Sequence, residues 1–318
     1  MWEVILSIVL LVVGMFFLIK GADWFVEGAA AIARSFHIPS LVIGLTLVSI
    51  GTSMPEFSVS LTSSLQGLND MSFGNIIGSN IFNTLVVIGV SACITPLVVS
   101  KDMQKYDLPI LVGIYLLLTL FAFVISPNVI NLWESIIIFS LTIFYTLFLI
   151  LRSRKQPQVE EETKKRKWWI NVILVIVGLA GIILGGNLVV NNASSIAMKL
   201  GMSELLVGLT IVAVGTSLPE LVTSIVAAKK GENDIAIGNA IGSSIFNVIL
   251  ILGFCSMFAP AKVEFSSLLD VIVMIISAVV IFLFSFKSKK INLWQGITMI
   301  VIYGGYLAYI VLRNFNVF

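Results

Sequence analysis

The sequence predicts an all-α membrane protein whose ten transmembrane helices form two inverted five-helix repeats. Three observations lead to this fold class: the hydropathy, an internal repeat and the sidedness of the basic residues. Of the 318 residues, 58% are hydrophobic and 11% are charged, and the mean hydropathy is +1.07. A soluble domain carries about 25% charged residues, so the surface of this chain is suited to lipid rather than to water.

Stretches of roughly 18 or more apolar residues are long enough to cross a bilayer as helices. The first stretch lacks the basic N-terminal region and the small-residue cleavage pattern of a secretory signal, so we expect it to remain as a helix. The predicted spans are 4–28, 40–65, 72–97, 108–126, 131–151, 168–193, 204–228, 235–258, 267–286 and 291–312.

An internal repeat divides the chain into two halves. At an offset of 164 residues, the segment 41–83 aligns without a gap with 205–247, and 22 of the 43 positions are identical. Each repeat contains five predicted spans, and an odd number of crossings turns the second repeat upside down relative to the first, as in many transporters. We therefore predict a first repeat at 1–151, a linker loop at 152–167 and a second repeat at 168–318.

The basic residues indicate how the chain lies in the membrane. Fifteen of the 19 lysines and arginines fall on the side of the loop that runs from Arg152 to Lys167, three fall on the opposite side, and Lys20 lies within the first span. Because positive charge favours the cytoplasmic side, we expect this loop in the cytoplasm, both termini outside and the protein in the cell membrane. No basic cluster lies on a soluble domain, so no nucleic-acid partner is expected.

Two carboxylates lie in the middle of predicted spans, Glu56 in the motif GTSMPE and Glu220 in GTSLPE. An acidic side chain at the centre of a membrane helix costs about 3 kcal/mol on the insertion scale. Two of them at equivalent positions require compensation by a bound cation, a proton or a polar partner. Intramembrane acids are functional by default, and hydrogen bonds that merely join helices are the alternative.

Each glutamate follows a proline, Pro55 or Pro219. Proline has no N–H and crowds the preceding turn, so it interrupts the helical hydrogen bonds. Unwound backbone at membrane depth is tolerated only where it faces protein, water or a ligand. The sequence therefore predicts that carbonyl oxygens near Thr52 and Thr216 become available as ligands.

Further oxygen atoms recur on the same helix faces as the two glutamates. The glycines between them are interpreted as close-packing sites between helices. Carboxylates, amides, hydroxyls and carbonyls are hard ligands, and Ca²⁺ takes about 6–8 of them in flexible geometry, whereas Mg²⁺ fits a dry cage poorly. Two negative charges balance one Ca²⁺, two Na⁺ or two protons. The polar faces are Ser49, Thr52, Ser53, Glu56 and Ser60; Ala213, Thr216, Ser217, Glu220 and Ser224; Asn75, Ser79 and Asn83; and Asn239, Ser243 and Asn247.

The motifs GTSMPE with GNIIGSNIFN, and GTSLPE with GNAIGSSIFN, resemble the α-repeats of the cation/Ca²⁺ exchanger superfamily. The closest resemblance is to prokaryotic sodium/calcium antiporters, and it covers essentially the whole chain in span number and spacing. It implies a site enclosed by the second, third, seventh and eighth spans. There, Glu56 and Glu220 are the central Ca²⁺ ligands beside the Thr52 and Thr216 carbonyls.

The resemblance also implies Na⁺ sites, which are completed by Ser53, Ser217, Ser79, Ser243, Asn83 and Asn247. Ser49 and Ala213, one turn before the threonines, belong to the same candidate set of ion-binding residues. One departure is that Asn83 and Asn247 are both amides, where some exchangers carry an aspartate. This difference bears on the counter-ion and the stoichiometry of exchange.

The leading function is a secondary antiporter, not an enzyme, that exchanges Na⁺ for Ca²⁺ by alternating access and needs no cofactor. Na⁺ and Ca²⁺ have similar radii, and no third carboxylate is present to hold K⁺. An H⁺/Ca²⁺ antiporter of the same fold is the nearest alternative, since each glutamate can carry a proton. A passive channel and a membrane-embedded lipid phosphatase are the others, although the phosphatase would need arginine or histidine near the phosphate.

Overall fold

The computed structural model describes residues 2–67, 69–154, 167–200, 213–263 and 267–314. Long helices connected by short turns dominate these residues. We label the helices in chain order: α1 (Trp2–Ser35), α2 (Ser40–Thr52), α3 (Met54–Leu65), α4 (69–94), α5 (Met103–Ile125), α6 (Leu132–Ser153), α7 (Trp168–Lys199), α8 (Ala213–Gly215), α9 (Leu218–Lys229), α10 (Asn233–Phe258), α11 (Leu268–Ser288) and α12 (Leu293–Asn314).

Within the described residues, eight helices are long and apolar enough to cross a membrane, and α2 with α3 forms a ninth span bent by 49°. Large apolar side chains such as Val124, Phe144 and Val301 are exposed on the outer surface, as expected where a protein faces lipid. The chain is thus an integral multi-pass membrane protein. The predicted span 204–228 falls partly on 201–212, which lies outside the described residues.

The helix ends differ from the predicted ones mainly in α1 and α7. These two helices continue to Ser35 and Lys199, whereas their spans were predicted to end at 28 and 193. Both helices are mostly exposed, while α4 and α10 are central. Of the 18-residue apolar stretch that could cross the membrane, 78% is buried in α4 and in α10, against 22% in α1. These two central helices carry the predicted asparagine and serine motifs, which are Asn75, Ser79 and Asn83 in α4 and Asn239, Ser243 and Asn247 in α10.

Glycines allow α1 and α7 to pack backbone against backbone. A Cβ atom added at Gly21 would lie 2.7 Å from the Gly178 carbonyl oxygen, and one added at Gly185 would lie 2.5 Å from the Leu18 nitrogen. Contacts pair rising residue numbers in α1 with falling ones in α7, so the two helices run antiparallel. Only glycine fits at these positions, because any side chain would clash with the facing backbone. Small residues commonly allow membrane helices to approach each other this closely.

The predicted close packing of the repeat glycines is observed in one repeat. A Cβ at Gly242 would lie 2.7 Å from the Leu45 carbonyl oxygen, so α10 packs tightly against α2. For the equivalent Gly74 and Gly78, no described atom lies within 4 Å of such a Cβ. The segment equivalent to the α2 contact is 208–209, which lies outside the described residues.

Four short strands, which the all-α prediction does not include, join the two halves. They form two antiparallel pairs, Leu97–Val98 (β1) with Lys290–Ile291 (β4) and Val129–Ile130 (β2) with Ala261–Lys262 (β3). Each pair takes one strand from each half of the chain. The connections between helices are thereby hydrogen-bonded across the repeat boundary.

Ion pairs join neighbouring helices in both halves, one pair buried and the other partly exposed. Asp107 on α5 accepts hydrogen bonds from Arg152 at 2.9 Å and from Tyr145 at 3.3 Å, both on α6. In the second half, Asp270 on α11 accepts hydrogen bonds from Arg313 at 3.0 Å and Tyr306 at 3.2 Å. The sequence assigned Arg152 to the linker loop. The structure corrects this, because α6 extends to Ser153 and its last turn turns inward toward Asp107.

Replacing Arg152 with Met should lower the free energy of unfolding by about 3–5 kcal/mol, because it leaves the buried Asp107 carboxylate without its charged partner. The equivalent Arg313→Met change should cost less, since Arg313 is 32% exposed whereas Arg152 is 7% exposed. Thermal unfolding of the purified protein in detergent measures both effects, with the exposed Arg154→Met as the matched control. Equal losses in Arg152→Met and Arg154→Met would contradict a role for the buried pair.

Candidate cation-binding site

Two helix breaks at equivalent positions bring the matching motifs of the two repeats into the centre of the protein. Between α2 and α3, Ser53 adopts φ −82° and ψ 9°, and between α8 and α9, Ser217 adopts φ −92° and ψ 8°. Pro55 and Pro219 stand in the first turn of the helix that follows. Their missing N–H is tolerated there, so the prolines begin new helices instead of only kinking old ones.

Crossed hydrogen bonds join the two halves at the glutamates. The Ser53 hydroxyl donates to Glu220 Oε1 at 2.8 Å, and the Ser217 hydroxyl donates to Glu56 Oε1 at 2.9 Å. Both glutamates are fully buried. Each carboxylate therefore depends on the opposite repeat for its shortest hydrogen bond.

The central helices supply a second hydroxyl to each carboxylate. Ser79 on α4 donates to Glu56 Oε1, and Ser243 on α10 donates to Glu220 Oε1, both at 3.4 Å. All four donors thus converge on the Oε1 atoms. The Oε2 atoms of both glutamates are buried without a hydrogen-bond partner among the described residues. A buried carboxylate oxygen without a donor is costly, and a bound cation satisfies it.

Asparagine side chains fix the backbone around each glutamate. The Asn75 amide donates to the Glu56 carbonyl oxygen at 3.3 Å and to the Ser60 hydroxyl. The Asn239 amide makes the equivalent bonds, to the Glu220 carbonyl oxygen at 3.1 Å and to Ser224. These two asparagines hold the broken helices against α4 and α10, so they fix the position of the backbone that carries each glutamate.

The remaining predicted asparagines, Asn83 and Asn247, are fully buried one turn after Ser79 and Ser243. Each begins a π-helical stretch, Asn83–Val87 in α4 and Asn247–Leu252 in α10. Such wider turns inside an α-helix are frequent at functional sites. Neither polar side-chain atom of Asn83, Oδ1 or Nδ2, has a hydrogen-bond partner among the described residues, and Asn247 Oδ1 also has none.

The predicted threonines and their upstream neighbours are not equivalent in the two halves. The Thr52 hydroxyl donates to Asn239 Oδ1 at 2.9 Å, whereas the buried Thr216 hydroxyl has no partner among the described residues. The Ser49 hydroxyl turns back to the Leu45 carbonyl, and it is the Ser49 carbonyl that faces Ser243 at 3.3 Å. Ala213 starts α8, and its side chain lies outside the described part of the structure.

A cavity of about 490 Å³ ends next to the two helix breaks. Pro55 and Pro219 line the cavity, while Glu56 and Glu220, the residues that follow them, are fully buried and do not line it. The other lining residues come from α3, α7 and the break before α9, and its polar lining comprises Ser58, Asn187, Asn191 and Thr216. The cavity therefore lies beside the predicted site region, with the exposed side chains of Met54 and Ser58 in its lining.

The equivalent region of the first half carries ion pairs instead of amides. The positions that match Asn187 and Asn191 at the 164-residue offset are Asp23 and Glu27 on α1. Lys230, in the α9–α10 turn, lies 2.7 Å from Asp23 Oδ1 and 3.9 Å from Glu27 Oε2. On the same side, Arg34 pairs with Glu232 at 2.8 Å.

The sequence analysis missed this difference because it followed the repeat only between residues 41 and 83. Gly14 and Gly21 match Gly178 and Gly185 at the same offset, so extending the alignment to α1 would have revealed it. The charged positions on one side and the amides on the other would then have appeared as a departure from the repeat.

The chain is similar to known proteins along almost its whole length. The sodium/calcium exchanger protein family matches residues 6–151 and 170–312. The sodium/calcium exchanger MaX1 of Methanosarcina acetivorans is 31% identical, with 95% of this chain and 97% of MaX1 covered. The putative antiporter CaxA of Alkalimonas amylolytica is 36% identical, with 95% and 98% covered.

A solved structure of the sodium-calcium exchanger NCX_Mj superimposes with a TM-score of 0.85 at 33% identity, covering 96% of this chain and 99% of the other. This agreement extends through both halves of the chain and includes the helices that carry the paired motifs. The chain therefore belongs to the sodium/calcium exchanger family, within the cation/Ca²⁺ exchanger superfamily.

Proposed function

We propose that this protein is a secondary antiporter that exchanges Na⁺ for Ca²⁺ across the cell membrane. The observation that carries this proposal is the pair of fully buried carboxylates whose Oε2 atoms lack a partner among the described residues. Two negative charges match one Ca²⁺ or two Na⁺, which is the equivalence that exchange requires. The family relationship and the names of MaX1 and NCX_Mj support the choice of ions.

In this proposal, Glu56 and Glu220 are the central ligands of Ca²⁺, together with the Thr52 and Thr216 carbonyl oxygens. Carboxylates and carbonyls are the ligands that Ca²⁺ prefers. Neutral oxygens suit Na⁺, and the convergence of four serine hydroxyls on the carboxylates supports the assignment of neutral residues here to the Na⁺ sites. This second set comprises Ser53, Ser217, Ser79, Ser243, Asn83 and Asn247, with the backbone of Ser49 and Ala213.

We further propose the complete architecture of ten helices in two inverted repeats, 1–151 and 168–318, joined by a cytoplasmic loop at 152–167. Both termini then lie outside the cell. The crossed serine–glutamate bonds and the strand pairs that combine one strand from each half support a two-fold relation between the repeats. With this orientation, the cavity beside Asn187 and Asn191 opens outward.

Transport then proceeds by alternating access. The cavity beside α7 is the access route of one state, and its closed counterpart beside α1 becomes the route of the other. The Lys230 ion pairs with Asp23 and Glu27 close this counterpart in the observed state. The opposite side offers Asn187 and Asn191, so neutral amides take the place of the charged contacts.

The first functional prediction is that a Na⁺ gradient drives Ca²⁺ uptake. Proteoliposomes loaded with Na⁺ and diluted into Na⁺-free medium at equal pH should accumulate radioactive Ca²⁺, without a requirement for K⁺. Vesicles without protein and vesicles with equal Na⁺ on both sides are the controls. Uptake driven by a pH gradient alone, but not by the Na⁺ gradient, would establish the H⁺/Ca²⁺ antiporter instead.

Replacing Glu56 or Glu220 with Gln keeps the shape and removes one charge. Ca²⁺ affinity should fall at least about 30-fold, since removing one partner of a buried, hydrogen-bonded charge interaction costs about 2–5 kcal/mol. Equilibrium Ca²⁺ binding to the purified variants measures the change. Glu134→Gln is the matched control, because this fully buried carboxylate caps α6 and lies outside the site. Unchanged Ca²⁺ binding in Glu56→Gln would overturn the assignment of the ligands.

Replacing Lys230 with Gln should shift the protein toward the state in which the cavity beside α7 is closed. The partly exposed ion pairs contribute about 1 kcal/mol, which corresponds to a roughly fivefold change in the equilibrium. A cysteine at position 191, introduced as Asn191→Cys without Cys93 and Cys255, should then react more slowly with a thiol reagent. The exposed neighbour Lys229→Gln is the control, and an equal labelling rate in both variants would argue against the closing role of Lys230.

A further inference from the structure

The side-chain amides of Asn80 and Asn247 contact each other between the two central helices. Asn247 Nδ2 donates to Asn80 Oδ1 at 3.1 Å, and both residues are fully buried. Asn80 is one of the positions at which the otherwise similar motifs differ, since its equivalent in the second repeat is Ser244. The contact therefore exists in one direction only across the repeats.

A sulfur atom determines which way these amides face. The Asn80 Nδ2 group points to the thioether sulfur of Met274 on α11 at 3.8 Å. A thioether has no hydrogen to donate and only accepts hydrogen bonds. This favours the observed orientation, in which the NH₂ group of Asn80 lies toward Met274 and its oxygen lies toward Asn247.

The orientation passes on to Asn247. Facing an oxygen, Asn247 has to present its NH₂ group to Asn80, and this leaves its Oδ1 atom on the other side of the same amide. Asn247 Oδ1 is buried and has no partner among the described residues. Met274, Asn80 and Asn247 thus form a relay that ends in a free acceptor oxygen.

The first repeat has no corresponding relay among its described contacts. Ser244, the equivalent of Asn80, donates its hydroxyl back to the Ala240 carbonyl of its own helix at 2.9 Å. Both polar side-chain atoms of Asn83, the equivalent of Asn247, are without a partner in the described structure. The two repeats share the amide at the site but differ in the group that orients it.

We propose that Asn80 is a positioning residue that presets the Asn247 amide with its oxygen, not its NH₂ group, toward the transported cation. The inference rests on the proposed function in that it takes Asn247 as an ion ligand. A preset ligand loses no orientational freedom when the ion binds, and an NH₂ group turned toward a cation would repel it. The second repeat accordingly offers the better-organised neutral oxygen of the two.

Equilibrium binding of Ca²⁺ and of Na⁺ to the purified full-length protein tests this role. Asn80→Ala should weaken binding of the cation that Asn247 serves by about 10- to 100-fold, the usual effect of removing a residue that orients a metal ligand. The maximal transport rate at saturating ions should change much less than the affinity. Ser244→Ala, at the matched position of the other repeat, should leave both affinities within about twofold.

A double-mutant cycle with Asn247→Ala separates positioning from simple packing. If Asn80 acts through Asn247, then Asn80→Ala should have no further effect on affinity once the Asn247 amide is gone. An equal loss in both backgrounds, or unchanged affinities in Asn80→Ala, would overturn the proposal. Met274→Leu keeps the volume and removes the sulfur acceptor, so it should weaken binding of the same cation. This variant tests the proposal independently if Asn80→Ala does not fold.

These outcomes are distinct from a failure of the proposed exchange. Absence of Na⁺-driven Ca²⁺ uptake by the unmodified protein would refute Na⁺/Ca²⁺ exchange, while ion binding would still report on the relay. Exchange by the unmodified protein together with additive effects in the cycle would refute only the role of Asn80.

Discussion

Two carboxylates held away from water, in the middle of a bundle that faces lipid, constrain the rest of this structure. Glu56 and Glu220 are fully buried, and the donors that reach them are serine hydroxyls, which supply no compensating charge. Hydroxyl groups stabilise the Oε1 atoms but leave net negative charge in a medium that disfavours it. The helix breaks, the asparagines that contact them and the glycines that let helices approach closely all contribute to holding the two carboxyl groups at the centre of the bundle.

The two halves of the chain are alike near these carboxylates and unlike farther away. Hydroxyls reach the glutamates at closely matching distances in both repeats, 2.8 and 2.9 Å for the crossed bonds. Away from the centre, Lys230 pairs with Asp23 on one side, and amides line the cavity on the other. In the proposed exchange, the ion-binding centre tolerates little change, because its geometry and charge must suit both ions. The surfaces that open and close in that proposal need only differ in the free energies of their two states.

The sequence was sufficient for those parts of the fold that follow from local chemistry. Nine of the ten predicted spans have helical counterparts within the described residues, and the breaks at Ser53 and Ser217 occur where Pro55 and Pro219 indicated them. Apolar length, the lack of a proline N–H and the repeat offset are all visible in the residues themselves. The roles of the individual site residues remain predictions.

Contacts between distant residues were not accessible in the same way. The paired strands join residues more than 130 positions apart, and two residues per strand leave no alternating pattern to detect. Arg152 looked like part of a charged loop because its partner Asp107 lies 45 positions earlier. The orienting role of Asn80 depends on Met274, which nothing in the local motif indicates.

The crossed serine–glutamate bonds also bear on how such a chain can evolve. Each repeat carries one such donor and one such acceptor, and each is bonded to the opposite repeat. Two identical copies about a two-fold axis would satisfy both bonds at once. A dimer of identical subunits must, however, carry the same residue at both equivalent positions. Fusion of the copies into one chain removes that restriction, so that Asp23 can differ from Asn187 and Asn80 from Ser244. A single gene thereby gains two unlike membrane faces around a shared, nearly symmetric centre.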